Sequence, residues 1–225
     1  LFSTITGIGD YSDNMSAIPY PVMSNTIVGR STPLSAQVPR MYSDHGAVRI
    51  QHREFCFDLP MTVLFTNKNG SITPDNQQLF PWLYLIANQF ENYKWLGLVF
   101  EFRSLSANAI SGASAGMGSV SMATIYDSYS APYVSKVQAN NALFATSCKP
   151  SESMFHPVEC DPDMTPTTAL FTRPDSGAPG IRDTRFESLG SLNIITIGAP
   201  AAYPVCGEIW CTYDILLIKP RVPGN

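Results

Sequence analysis

Apolar residues recur at every second position through most of the chain. In WLGLVFEFR, Leu96, Leu98, Phe100 and Phe102 share one parity, with Glu101 and Arg103 between them. A period of two belongs to a β-strand, whose successive side chains point to opposite faces. In EIWCTYDILLIK, Ile209, Cys211, Tyr213, Ile215 and Leu217 form one face opposite Thr212 and Asp214. The run VRIQHREFCFDL changes phase: Val48 and Ile50 agree, whereas Phe55 and Phe57 have the opposite parity. A bulge near His52–Glu54 would restore one buried face.

Eighteen prolines and fifteen glycines separate these runs. Short strands so punctuated indicate an all-β sandwich or barrel. Strands are expected at about 47–58, 60–67, 95–106, 118–127, 143–158, 167–173, 189–198 and 205–219. Eight strands make a jelly roll, two four-stranded antiparallel sheets packed face to face. One segment breaks the period: in FPWLYLIANQFENYK, Leu83, Ile86, Phe90 and Tyr93 recur at helical spacing behind Pro81, which predicts a helix over 80–93. A second short helix is expected at Ser135–Asn141, capped by Ser135. Residues 1–40 are polar, Pro-dotted and weakly periodic. They read as an extended N-terminal arm ahead of a single jelly-roll domain at 41–225, with no internal repeat.

Composition adds one constraint. Charged residues are only 14% of the chain, against roughly 25% in ordinary soluble domains. A surface so poor in charge is expected either to be largely covered by partners or to rely on Ser, Thr and Asn for solubility, and the first is the reading to test. The fourteen Lys and Arg residues are scattered and the net charge is −4, so no clustered phosphate-binding footprint appears. A basic arm, if the protein has one, is expected upstream of Leu1. The longest apolar run, Leu79–Ala87, is nine residues, too short for a bilayer span, and no membrane partner is expected. Five cysteines without a tight spacing pattern read as reduced thiols.

The stretch TSCKPSESMFHPVECDPD, residues 146–163, gathers the candidate chemistry: Cys148, His156, Cys160, Asp161 and Asp163. Pro150 and Pro157 argue against a continuous helix. On a strand, His156 and Cys160 stand about 13 Å apart, too far for both to reach a zinc ion at about 2.0–2.3 Å. A nucleophilic thiolate needs a helix N-terminus or a nearby cation, and neither is indicated. No nucleophile elbow, P-loop or His-Glu-x-x-His motif occurs. His52 and His156 are expected to pack or hydrogen-bond inside the sandwich, and no enzymatic activity is expected. The acidic residues keep two readings: a solvated loop, or oxygens for a hard cation. Calcium takes roughly six to eight oxygens, so Asp161 and Asp163 would need help from another loop or subunit. Asp127 and Glu187 are the expected contributors.

The series FPWLYLIANQFENYKWLGLVFEFRS, GSVSMATIYDS, SCKPSESMFHPVECDPDMTP and GEIWCTYDILLIKP, with GIGDYSDN upstream, resembles the single-jelly-roll capsid proteins of small icosahedral viruses. The likeness is to tombusvirus-like and nodavirus-like shell domains, which also occur in some single-stranded DNA viruses, and it runs over about residues 7–220. It implies a capsid protein of the virion that assembles with copies of itself around viral nucleic acid. It also implies calcium between subunits, with Asp161 and Asp163 as ligands. The other class considered is a jelly-roll carbohydrate-binding module. That reading needs a row of exposed aromatics, for which Trp210 is the strong candidate.

Overall fold

A computed structural model describes residues 24–28, 39–44, 46–106, 116–161, 165–172 and 183–222. Its strands are β1 (Arg40–Asp44), β2 (Ala47–Met61), β3 (Thr66–Ser71), β4 (Phe90–Ser104), β5 (Ser119–Ile125), β6 (Thr146–Cys148), β7 (Met154–Pro157), β8 (Leu170–Phe171), β9 (Ser191–Ile197) and β10 (Tyr203–Pro220). One sheet has the order β1-β2-β10-β4-β7, with β8 also on β4; the other is β3-β9-β5-β6. All pairings are antiparallel, and neighbours in a sheet are mostly distant in sequence. This is the jelly roll that the alternation predicts. The first sheet carries six strands rather than four, because β1 extends one edge and β8 adds to the other.

Several boundaries differ from expectation. The strand expected at 60–67 is split: residues 60–61 end β2, 62–65 lie outside any strand, and β3 continues to Ser71. The segment 143–158 is two strands: β6 joins one sheet and β7 the other. The chain turns between them through Pro150, with Glu152 N–H donating to Lys149 O at 3.0 Å. The helix is confined to α1 (Leu83–Ala87). Gln89 N–H closes back on Ile86 O, and Phe90 and Tyr93, expected on the helix, lie in β4 opposite Pro220 and Leu217 of β10. Strand pairing on both sides of β4 outweighs a short run of helical spacing. The expected strand at 167–173 forms only as β8. The second helix, α2 (Lys136–Asn140), forms as predicted, and Ser135 caps it by accepting Gln138 N–H at 3.3 Å.

The phase change in β2 is real but sits further along. Ile209 pairs with Phe57 and Trp210 with Phe55, leaving Cys56 as the extra residue. A second shift was not anticipated. Asp214 pairs with Gly97 and Ile215 with Trp95, so Leu96 is the extra residue in β4. Consequently Trp95, not Leu96, joins Leu98, Phe100 and Phe102 in the core.

Between the sheets Phe80 stands at ring-centroid distances of 5.1 Å from Trp95, 6.1 Å from Phe100 and 6.0 Å from Tyr213. Such edge and tilted contacts add to the area they bury. Glu54, buried among these rings, accepts Trp82 N–H at 2.6 Å and so anchors the turn that leads into α1. Burial pushes the Glu54 carboxyl up, against the N–H groups that favour its charge. His156 is fully buried: its Nε2 lies 2.9 Å from Thr124 Oγ1 and its Nδ1 3.3 Å from Thr146 Oγ1. It thereby ties β7 of one sheet to β5 and β6 of the other. On the outside of the second sheet α2 lays Ala139 on Ala123 and Ile195, flanked by Phe65 and Tyr133.

Two outcomes follow from this packing. Phe80→Ala empties the middle of the aromatic cluster and is expected to destabilise the subunit by about 3–5 kcal/mol; denaturant unfolding measures it. Burial lowers the His156 pKa to about 4 from 6.5, so as pH falls through that window the unfolded chain takes a proton that the folded chain excludes. The stability due to His156 is complete above about pH 6.5 and shrinks by about 3 kcal/mol on reaching pH 4. Melting curves across this range should show the loss, and His156→Gln should flatten it relative to wild type.

Candidate functional site

Among the described residues, Cys148, His156 and Cys160 do not belong to any group of three metal-ligating side chains. Cys160 is buried, donates its thiol to Val158 O at 3.3 Å, and is pushed up in pKa chiefly by burial. Burial also pushes Cys148 up to about 11. Both shifts run opposite to those of a reactive thiolate. His156 spends both ring nitrogens on threonines. His45 lies outside the described residues.

Three of the four expected calcium ligands lie among the described residues. Asp161 sits 3.7 Å from Lys94 Nζ. Asp127 closes its own turn, accepting Ser130 Oγ at 2.7 Å and Tyr129 N–H at 3.0 Å, and these bonds hold its pKa low. Glu187 is half-buried, and its carbonyl accepts the Tyr93 hydroxyl at 2.7 Å. Asp163 lies outside the described residues. Asp183, a residue the sequence reading did not single out, stands near Asp127. It accepts Arg185 at 2.7 and 3.0 Å and Tyr129 OH at 3.1 Å, and the guanidinium holds its pKa down to about 2. Among the described residues no three metal-ligating side chains come together. Of the described carboxylates, Asp161 lies beside Lys94 and Asp183 beside Arg185.

The outer face of the first sheet is where polar chemistry converges. Asp214, in β10, is only 2% exposed. It binds Arg49 at 2.6 and 2.7 Å, Gln51 at 2.8 Å and Thr26 Oγ1 at 2.8 Å. Burial alone would raise its pKa, but these donors together hold it low. Residues 24–28, expected to be part of an extended arm, are seated here. Thr26 N–H donates to Leu96 O at 2.8 Å, and Cys160 N–H donates to Ser24 O at 3.0 Å. Glu159, 5% exposed, takes Ser24 N–H at 2.7 and 2.9 Å. A glycine inside a strand is a sequence signal for such a close approach: a Cβ on Gly97 would stand 2.7 Å from Thr26 Oγ1 and 2.9 Å from Ile27 N.

Further along the same face, Trp210 meets Phe55 edge-on at 5.6 Å, and the Arg53 guanidinium lies 4.5 Å above its ring. Arg53 is itself held by Glu101 at 2.5 Å. The ring that a carbohydrate platform would need is covered by a cation, and the carbohydrate-binding reading is set aside. Among the described residues the most exposed large apolar side chains are Leu64 at 79%, Val134 at 74% and Val137 at 72%, while Met41, Tyr42, Phe55 and Phe155 of the first sheet are exposed as well.

Comparison with known proteins agrees with this architecture. Over 82 residues, 33% of the chain and 22% of the relative, it is 40% identical to the capsid protein of Cucumber necrosis virus. Over 187 residues, 80% of the chain and 44% of the relative, it is 25% identical to the capsid protein of Artichoke mottled crinkle virus. The chain thus spans less than half the length of these two relatives. The solved structure of Tobacco necrosis virus superposes with a TM-score of 0.70 at 20% identity, covering 83% of this chain and 89% of that one. Cucumber necrosis virus gives 0.70 at 24% identity, covering 87% and 58%. The family model described as viral coat protein (S domain) matches residues 20–223, and the chain belongs to that family.

Proposed function

We propose that the protein is the shell-forming coat protein of a small icosahedral virus, and that copies of this jelly roll pack side by side into a closed capsid. The observation that carries this reading is the S-domain match over residues 20–223. The surface supports it: with 14% charged residues and Leu64, Val134, Val137 and Leu143 well exposed, a lone subunit shows water the apolar patches that mark protein contacts. Its place of action is the virion, and the enclosed partner is the viral nucleic acid. With a net charge of −4 and dispersed cations, this chain by itself is expected to bind nucleic acid weakly and with a shallow salt dependence.

Calcium belongs to this proposal only as an ion shared between copies. Asp161 is 57% exposed at its side chain and, with Asp163, would supply one half of a site. Asp127 or Glu187 of a neighbour would supply more oxygens and relieve the repulsion between the paired aspartates.

Sedimentation and negative-stain microscopy of the purified protein should show shells or large oligomers; a monomer at high concentration across pH and salt would refute the assembly reading. Particles treated with chelator at mildly alkaline pH are expected to swell, and Asp161→Asn with Asp163→Asn should abolish that response. Particles indifferent to chelator would leave these carboxylates as a solvated loop.

A further inference from the structure

The open edge of a sheet carries backbone groups that invite another strand, and folded proteins blunt most such edges. Among the described residues the first sheet ends at β1 on one side and at β7 and β8 on the other, and the second ends at β3 and β6. β6, β7 and β8 are three, four and two residues long and offer few backbone groups. β3 is longer, but it carries Lys68 opposite Ile194, a core residue. The ammonium lies 3.4 Å above the Phe57 ring, and a charge on the inward row of an edge strand guards against pairing.

β1 is less protected. It contains no proline and no bulge: Arg40 to Asp44 pair residue for residue with Gln51 to Ala47, and no other described strand pairs with it. Met41 and Tyr42 are 52% and 51% exposed, one on each face of the strand. The pair Asp44–Ala47 closes a two-residue loop, the position at which two hairpin strands exchange N–H and C=O. Such pairs alternate, so residues 40, 42 and 44 spend their backbone groups on β2. The N–H and C=O of Met41 and Ser43 point to the open edge.

This edge is complementary to itself. The strand reads Arg-Met-Tyr-Ser-Asp, with opposite charges at its two ends. Laid antiparallel on a second copy about a two-fold axis at Tyr42, Met41 of each strand faces Ser43 of the other and their outward groups bond. Tyr42 then faces Tyr42, and Arg40 faces Asp44. A register displaced by one residue would set the outward groups against residues already bonded to β2. We propose that β1 is a homotypic pairing edge, and that β1 of one copy adds antiparallel to β1 of a second, joining two first sheets into one. Such strand addition is an established mode of recognition, and the two-fold makes the contact isologous. It is one contact of the assembly proposed above, yet it needs only two copies.

The test is cross-linking in the full chain. At a non-hydrogen-bonded position facing Cα atoms stand about 4.5 Å apart, a separation that a disulfide spans. Tyr42→Cys should give a disulfide-linked dimer with oxidised glutathione as oxidant, read on a non-reducing gel. Met41→Cys and Ser43→Cys, which do not face themselves, should give about tenfold less. In the Tyr42→Cys background Arg40→Glu sets like charges opposite each other and should slow cross-linking about tenfold, and adding Asp44→Arg should restore the rate. Equal yields from the three cysteine variants, or no rescue by the charge reversal, overturn the proposal. Shells built from an uncross-linked Tyr42→Cys chain overturn the pairing and keep the capsid reading; cross-linked dimers that never form shells do the reverse. Amide exchange of the wild-type chain needs no substitution. Met41 and Ser43 N–H should be as protected as Tyr42 N–H in the associated protein, and should lose that protection on dilution while Tyr42 keeps it. Met41 and Ser43 exchanging as an open edge in the associated protein overturns the pairing.

Discussion

β10 is paired along both edges, buried on its inner face and partly covered on its outer one, and much of the molecule is arranged around it. It pairs with β2 on one side and β4 on the other over nearly its whole length. Its inner face, Ile209 to Leu217, lies in the aromatic core. Its outer face carries Trp210, Thr212 and Asp214, which cannot be left dry and unpaired without a desolvation cost. Arg53 covers Trp210. Arg49, Gln51 and the segment 24–28 satisfy Asp214. The polar cover of the sheet is thus a consequence of its position as much as of its composition.

The two bulges show how the ladder adjusts to this demand. The extra residue at Cys56 lets β2 place Glu54 inward before it and Leu59 after it. The extra residue at Leu96 keeps Trp95 and Leu98 on the same side and frees a carbonyl for Thr26. A bulge bends and twists a strand locally; here it also exposes a hydrogen-bonding group where another stretch of chain arrives. Gly97 completes that approach by offering no side chain.

Titratable groups follow the same division between inside and outside. Inside, burial pushes thiols up and His156 down, so they stay neutral and act as packing or hydrogen-bonding groups. Outside, carboxylates keep their charge beside donors, as Asp183 does beside Arg185 and Asp214 beside Arg49. The neutral interior gives the fold a dependence on mildly acidic pH. Outside, the charge of these two carboxylates is balanced locally by the arginines beside them.

Alternation alone determined β4 from residue 95 onward, the long strand β10, the inward row from Ile209 to Leu217, and the sandwich class, because a period of two repeated over many residues has one reading. The motif series indicated the family, and Ser135 marked the start of α2. Tertiary structure decided what short or interrupted patterns could not. Residues 143–158 contain too few alternations to reveal that they cross from one sheet to the other. Helical spacing from Leu83 to Tyr93 yielded to pairing with β10, which no local pattern contains. Parity places Asp214 opposite the core, yet only the docking of Asn25 and Thr26 buries it. A local period tells which side chains share a face; what covers that face depends on residues far away in the chain.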